Sequence, residues 1–207
     1  MYEKLYFELA HALKGLNYEP ILARRQFRQH NESGYRSIVL SGAGKQSSEI
    51  SVFLGIRINM VEDLVYQFTE GLQDYGLYST TLLVPAKNIT SKSQYFYLLN
   101  TESDIPEILH KIMKFLNEEG FKFLEEYSSV KALNELYNQP PNKKLAYITN
   151  EFHRALRGIV LAKLTQRPHW TELVGQYRSK LQKQGLPEAR LQKYEQLARF
   201  LTNYSFS

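Results

Sequence analysis

Hydrophobic and polar positions follow two different periods along this chain, and the change from one to the other divides it. Leu5, Leu9, Leu13 and Leu16, with Ala12, recur at helical spacing from Tyr2 to Lys14, and Gly15 follows. Three stretches with a period of two come next: Ile21–Arg28, Tyr35–Leu40 and Glu49–Asn59. The last is the clearest, with Ile50, Val52, Leu54, Ile56 and Ile58 on one face and Ser51, Phe53, Gly55, Arg57 and Asn59 on the other. The turn-rich segments Asn31–Gly34 and Ser41–Ser48 predict antiparallel connections between them. Val61, Leu64, Val65 and Phe68 predict a short helix, and Tyr78–Val84 and Tyr95–Leu99 two further strands around a polar loop from Pro85 to Ser93. Ile105, Ile108, Leu109, Ile112, Phe115 and Leu116 form the cleanest helical stripe. Asp104 and Glu107 stand at capping-box spacing there, with Pro106 in the first turn. A helix from Ser129 to Tyr137 follows, stopped by Gln139-Pro140-Pro141-Asn142.

Beyond that stop the pattern is helical throughout. One helix is predicted from about Asn150 to Thr165, a second from Pro168 to Gly185, and a third after Pro187 to Asn203. Trp170, Val174, Tyr177 and Leu181 line the second; Leu191, Tyr194, Ala198 and Leu201 line the third. The short Gly185-Leu186-Pro187 connection predicts an antiparallel pair. The expected fold is α+β: an antiparallel sheet of about five strands covered by helices, followed by an all-helical C-terminal segment. The expected domains are 1–139, the sheet, and 143–207, a basic helical subdomain packed on or beside it.

Charge changes at the same place. Residues 1–137 carry 14 Lys+Arg against 17 Asp+Glu, and residues 138–207 carry 12 against 4. A hydrophobic content of 43% with 23% charged residues is that of a folded chain of 207 residues. No apolar run reaches the roughly 18–20 residues that span a bilayer, and no signal-peptide core precedes the first helix, so a cytosolic, soluble protein without a membrane partner is expected. With no cysteine there is no disulfide, thiolate metal site or thiol nucleophile.

Candidate chemistry is sparse. Ser41-Gly42-Ala43-Gly44-Lys45 looks like a phosphate loop, but Val39 stands where the first Gly belongs, Gln46 follows the Lys, and a strand rather than a helix comes next. A hairpin turn is the better reading. His11, His30, His110, His153 and His169 lack ligand spacing, and no Gly-x-Ser-x-Gly elbow occurs. Glu118–Glu119 and Glu125–Glu126 are read as a solvated face around Gly120. Trp170, Leu173 and Tyr177 imitate the start of a tetratricopeptide repeat, but Val174 replaces its Gly and no second copy exists. Neither cofactor nor metal is expected.

The basic helices carry the candidate contacts. The 150–165 helix is apolar almost all round, with Arg154 and Arg157 in its narrow remaining sector. Arginines placed there need anionic partners. Glu151, Glu172 or a carboxylate from the first half would make them structural; a phosphate, a nucleic-acid backbone or an acidic protein loop would make them functional. Arg178, Lys180 and Lys183, with Arg190 and Lys193, spread over the final hairpin, where only Glu188 and Glu195 offset them in the last helix.

Leu13-Lys14-Gly15-Leu16-Asn17-Tyr18, Phe53-Leu54-Gly55-Ile56, Asp104-Ile105-Pro106-Glu107 and Gly120–Ser129 follow one another in an order that resembles an uncharacterised bacterial family of unknown function, of the immunity-like or orphan α+β kind, over about residues 2–138. The resemblance implies the sheet domain and no activity. The expectation is a non-enzymatic protein-binding module, an immunity-like or regulatory adaptor whose partner is an acidic protein. The alternatives are a nucleic-acid-binding protein using the basic helices, or an enzyme holding an anionic substrate with Arg154 and Arg157.

Overall fold

The computed structural model describes residues 1–42, 49–69, 76, 78–90, 96–140 and 143–204. The fold is α+β, with one antiparallel sheet and helices that dominate the C-terminal part. The chain divides into two compact units: residues 1–56 with 82–126, and residues 57–81 with 127–207. This division does not coincide with the charge switch, because the second unit takes in Arg57–Thr81 and the helix before Pro140 besides the basic helices.

In the first unit α1 (Tyr2–Lys14) buries Leu5, Tyr6, Leu9 and Leu13, the stripe its sequence spacing predicts. The strands are β1 (Glu19–Ile21), β2 (Gln26–Asn31), β3 (Gly34–Gly42), β4 (Glu49–Ile58), β5 (Leu82–Pro85) and β6 (Tyr97–Leu98), in the order β1-β2-β3-β4-β5, with β6 also on β4. The stretch expected as a single strand, Ile21–Arg28, is two. A 3-10 turn at Leu22–Arg24 ends on Arg25 at φ 52°, and this left-handed residue turns β1 back antiparallel to β2, pairing Glu19 with Arg28. Arg25 is held there by its Nη1 donating to the Gly42 carbonyl at 2.7 Å and by stacking over Tyr2. The Ser41–Ser48 turn lies mostly outside the described residues.

The strand expected at Tyr78–Val84 is Leu82–Pro85, paired antiparallel with Phe53–Ile56. Helix α3 (Ile105–Phe115) buries Ile105, Ile108, Ile112 and Phe115. Its capping box is one turn earlier than the sequence suggests: the backbone N–H of Thr101 donates to Asp104, and Asp104 makes no cap bond to Glu107. Gly120 does not break the helix. A π turn at Leu116–Gly120, with Leu116 and Gly120 buried, carries it into α4 (Phe121–Glu126). The core joins α1, Phe27, Ile38, Leu40, Ile50, Val52, Leu54 and α3, with Tyr6 and Phe27 stacked at 4.5 Å.

The second unit holds α2 (Asn59–Tyr66), α5 (Val130–Tyr137), α6 (Glu151–Leu164), α7 (Trp170–Lys183) and α8 (Glu188–Asn203). Ser129 and Asn150 cap α5 and α6, each side chain accepting from the backbone N–H three residues on. In α6 every residue from Arg154 to Ala162 is buried, as expected of a helix apolar nearly all round. Gly185 at φ 69° ends the segment after α7 and lets α8 fold back, and Leu173, Tyr177 and Leu181 meet Leu191, Tyr194, Leu197, Ala198 and Leu201 in the buried set.

Candidate functional site

The five basic residues singled out in the sequence all lie in the second unit, and four of them are committed to protein groups. Arg154 is fully buried. Its Nε donates to the Tyr137 carbonyl at 3.1 Å, its Nη1 to Lys143 at 2.7 Å, and its Nη2 to Gln139 at 2.9 Å and Pro140 at 3.4 Å. Glu151 adds an ion pair at 3.5 Å. One guanidinium therefore binds four carbonyls at and just after the end of α5, where intrahelical bonding runs out. Asn138 is fixed in the same way: its Nδ2 donates to Asn134 Oδ1 and to the Gly158 carbonyl, while the Tyr177 hydroxyl donates to the Tyr137 carbonyl at 2.8 Å. Burial pushes the Tyr177 hydroxyl up to about 12, so it stays a donor.

Arg157 pairs with Glu62 of α2 in a two-pronged bond, Nε to Oε1 and Nη2 to Oε2, both at 2.8 Å. Glu62 is the carboxylate from the first half of the sequence that the structural reading of Arg157 called for. Burial raises the Glu62 pKa, and the Arg157 charge, with hydrogen bonds from Arg157, Ser79 and Thr81, outweighs it and holds the carboxyl below its usual range. Arg157 Nη1 meets His153 Nδ1 at 3.0 Å, which makes that nitrogen the acceptor. Burial, then the Arg157 charge, lowers the His153 pKa, so the ring is neutral at pH 7. Beside this chain of groups is a cavity of about 10 Å3, lined by Glu62, Val65, Tyr66, Thr69, Ser79, His153 and Arg157. It holds about one water molecule. Arg154 and Arg157, read in the sequence as either structural or substrate-holding, bind protein groups here, beside a space too small for a substrate.

Arg57, the second buried arginine outside α6, repeats the pattern, donating to Gly76 and Ser79 carbonyls at 2.8 Å and to Asp63 at 2.7 Å.

On the final hairpin Arg178 pairs with Glu195 at 2.6 Å and Lys180 with Glu151 at 2.8 Å. Lys183 is exposed and has no carboxylate partner among the described residues. These residues do share a place. Glu172, Gly175, Gln176, Ser179, Lys180, Lys183 and Gln184 form one face of α7 and, with Pro140, line a groove of about 840 Å3. Gly175 and Ser179 leave its middle open, and a Cβ added at Gly175 meets nothing within 4 Å. The sequence signal was there, two small residues four apart in a helix, but Gly175 reads equally well as a weak helix position. Lys180 and Lys183 were found from charge; Gly175, Gln176 and Ser179 were not.

Among the described residues no group of three His, Asp or Glu residues is placed to hold a metal ion, and no helix is long and apolar enough to cross a membrane. Comparison with protein-family models, with curated proteins and with solved structures gives no match to this chain.

Proposed function

We propose that this protein is a binding module that takes an acidic segment of a partner protein into the α7 groove. The single observation that carries the reading is the groove itself: a trough of about 840 Å3 along one face of α7, with Gly175 and Ser179 at its middle and Lys180 and Lys183 toward one end. Pro140, Gly175 and the stems of the Gln and Lys side chains line it together with Ser179 and one acid, Glu172, which suits an apolar ridge at its middle. Its setting is the half of the sequence with 12 Lys+Arg against 4 Asp+Glu, which favours an acidic ligand. The internal pairing of Arg154, Arg157, Arg178 and Lys180 leaves Lys183 as the groove cation that meets the ligand's charge.

The test is a photo-crosslinking residue placed at Ser179, in the groove, or at the exposed Gln192 of α8, in full-length chain expressed in its native host. The reading expects adducts from Ser179 alone, mapping to an acidic peptide of a protein, resistant to nuclease and lost on Lys183→Glu. Equal adducts from both positions, or nucleic-acid adducts, contradict it.

A further inference from the structure

On the other side of the α6–α7 turn is a cavity of about 410 Å3 that shares no residue with the groove. It is lined by Ala162, Lys163, Leu164, Gln166, Arg167, Trp170 and Tyr204. Its volume lies in the range of small-ligand pockets, roughly 300–1,000 Å3.

Its charge is not offset by an acid. Arg57, Arg154, Arg157, Arg178 and Lys180 each have a carboxylate. Lys163 and Arg167 have none among the described residues, and no Asp or Glu lines the cavity. Arg167 reaches only the Asn138 carbonyl, at 3.3 Å, and Lys163 lies 5.1 Å from the centre of the Trp170 ring. The α6 C-terminal carbonyls do not consume these charges, because they already accept from the turn: Thr165 N–H to Leu161, Gln166 N–H to Lys163 and Arg167 N–H to Ala162.

Its aromatic walls are fixed in place. The Trp170 Nε1–H donates to the Ile159 carbonyl at 2.9 Å. Tyr204 packs on Phe200 at 5.0 Å between ring centres, and Phe200 on Phe68 at 5.5 Å, so an aromatic row ends at the cavity. The turn between the helices holds Gln166 at φ 51° and His169 at φ 57°, two non-glycine residues in the left-handed region, where residues of functional sites are over-represented.

Two cations, two rigid ring systems and the Gln166 amide around one small cavity suit an anion that carries a flat ring. We propose that this cavity binds a nucleotide, its phosphate between Lys163 and Arg167 and its base against the Trp170 and Tyr204 rings. The chemistry is the same for a free mononucleotide and for one residue of a single strand, and it is independent of the groove.

Trp170 is the only tryptophan in the chain, so its fluorescence reports this cavity. Full-length protein is titrated with AMP, adenosine, inorganic phosphate and a six-residue oligoadenylate. The proposal expects saturable quenching by AMP, by the oligonucleotide or by both, about tenfold or more tighter than by adenosine or phosphate alone. Tighter binding of AMP assigns the free nucleotide, and tighter binding of the oligonucleotide the single strand. Lys163→Gln, which breaks no hydrogen bond, and Arg167→Gln are expected to weaken binding about tenfold each with an unchanged far-UV spectrum. The proposal is overturned if neither AMP nor oligoadenylate quenches saturably at millimolar concentration, if adenosine and phosphate do as well as AMP, or if folded Lys163→Gln binds as the parent does.

Discussion

Replacing Glu62 and Arg157, singly and together, measures what their pairing contributes to the fold. Glu62 is 1% exposed and the Arg157 side chain 7%, and two bonds of 2.8 Å join them. Glu62→Leu leaves a buried guanidinium beside His153 Nδ1 without its carboxylate, and Arg157→Met leaves a buried carboxylate with Ser79 and Thr81. Each single change is expected to cost about 3–5 kcal/mol, the usual result of stranding one buried charge. The double variant removes both charges and is expected to lose about 3 kcal/mol at most, falling short of the summed single losses by more than about 2 kcal/mol. Urea unfolding of the full chain, followed by circular dichroism and by Trp170 fluorescence, gives all four stabilities. The acid limb adds a sign. The Glu62 pKa is lowered by folding from its ordinary 4.5, so the pair's contribution is complete above that value and disappears as pH falls through the lower, folded pKa. Glu62→Leu is expected to lack that part of the acid dependence. Additive single losses, or single losses under about 1 kcal/mol, refute the reasoning.

Further outcomes follow from the same network and its edges. Arg154→Met takes a donor from four carbonyls, of which Tyr137 keeps the Tyr177 hydroxyl and Pro140 the Lys143 N–H, and is expected to cost about 3 kcal/mol, with faster amide exchange at Asn138 and Lys143 checked by hydrogen-exchange mass spectrometry. Gly158→Ala puts a Cβ 2.8 Å from Asn138 Oδ1 and 3.0 Å from the Tyr177 hydroxyl, so a melt should show a loss of about 1–3 kcal/mol where helix propensity alone would give a gain. His153 is lowered from 6.5 by burial and then by Arg157, and is also faced by Glu62 and, from α8, Arg190. The unfolded chain therefore binds the extra proton first, and stability should fall as pH drops below about 6.5, a dependence reduced in His153→Gln and read by melts from pH 7.5 to 5.

Much of the fold is legible in the sequence because it depends on local periodicity. Tyr2–Lys14 matches α1 residue for residue, and the alternation at Ile50–Ile58 is the buried face of β4. What depends on single residues or on distant partners is not legible. Arg25 breaks a strand by adopting a left-handed conformation that nothing in its neighbours announces, and Thr101 takes the capping role that Asp104–Glu107 spacing suggested. The candidate site divides in the same way. Excess charge pointed to the correct helices, yet whether an arginine is spent internally is decided by groups such as Glu62, 95 residues from Arg157, and by carbonyls that carry no sequence signal at all. Lys163 and Arg167 escaped notice for the opposite reason, since they stand out only once the cavity beside them is seen to hold no acid.

Gly175 offers the most direct test of the groove. Its position is open to a side chain and interior to α7, so Gly175→Leu is expected to raise helix stability by about 0.5–1 kcal/mol while filling the open middle of the trough. The measurement is the affinity of this variant and of the parent for the acidic peptide mapped from Ser179 adducts, by titration calorimetry beside thermal melts. The account predicts an unchanged or higher melting temperature together with loss of peptide binding. Peptide affinity equal to the parent's, in a variant whose groove is filled, would contradict it.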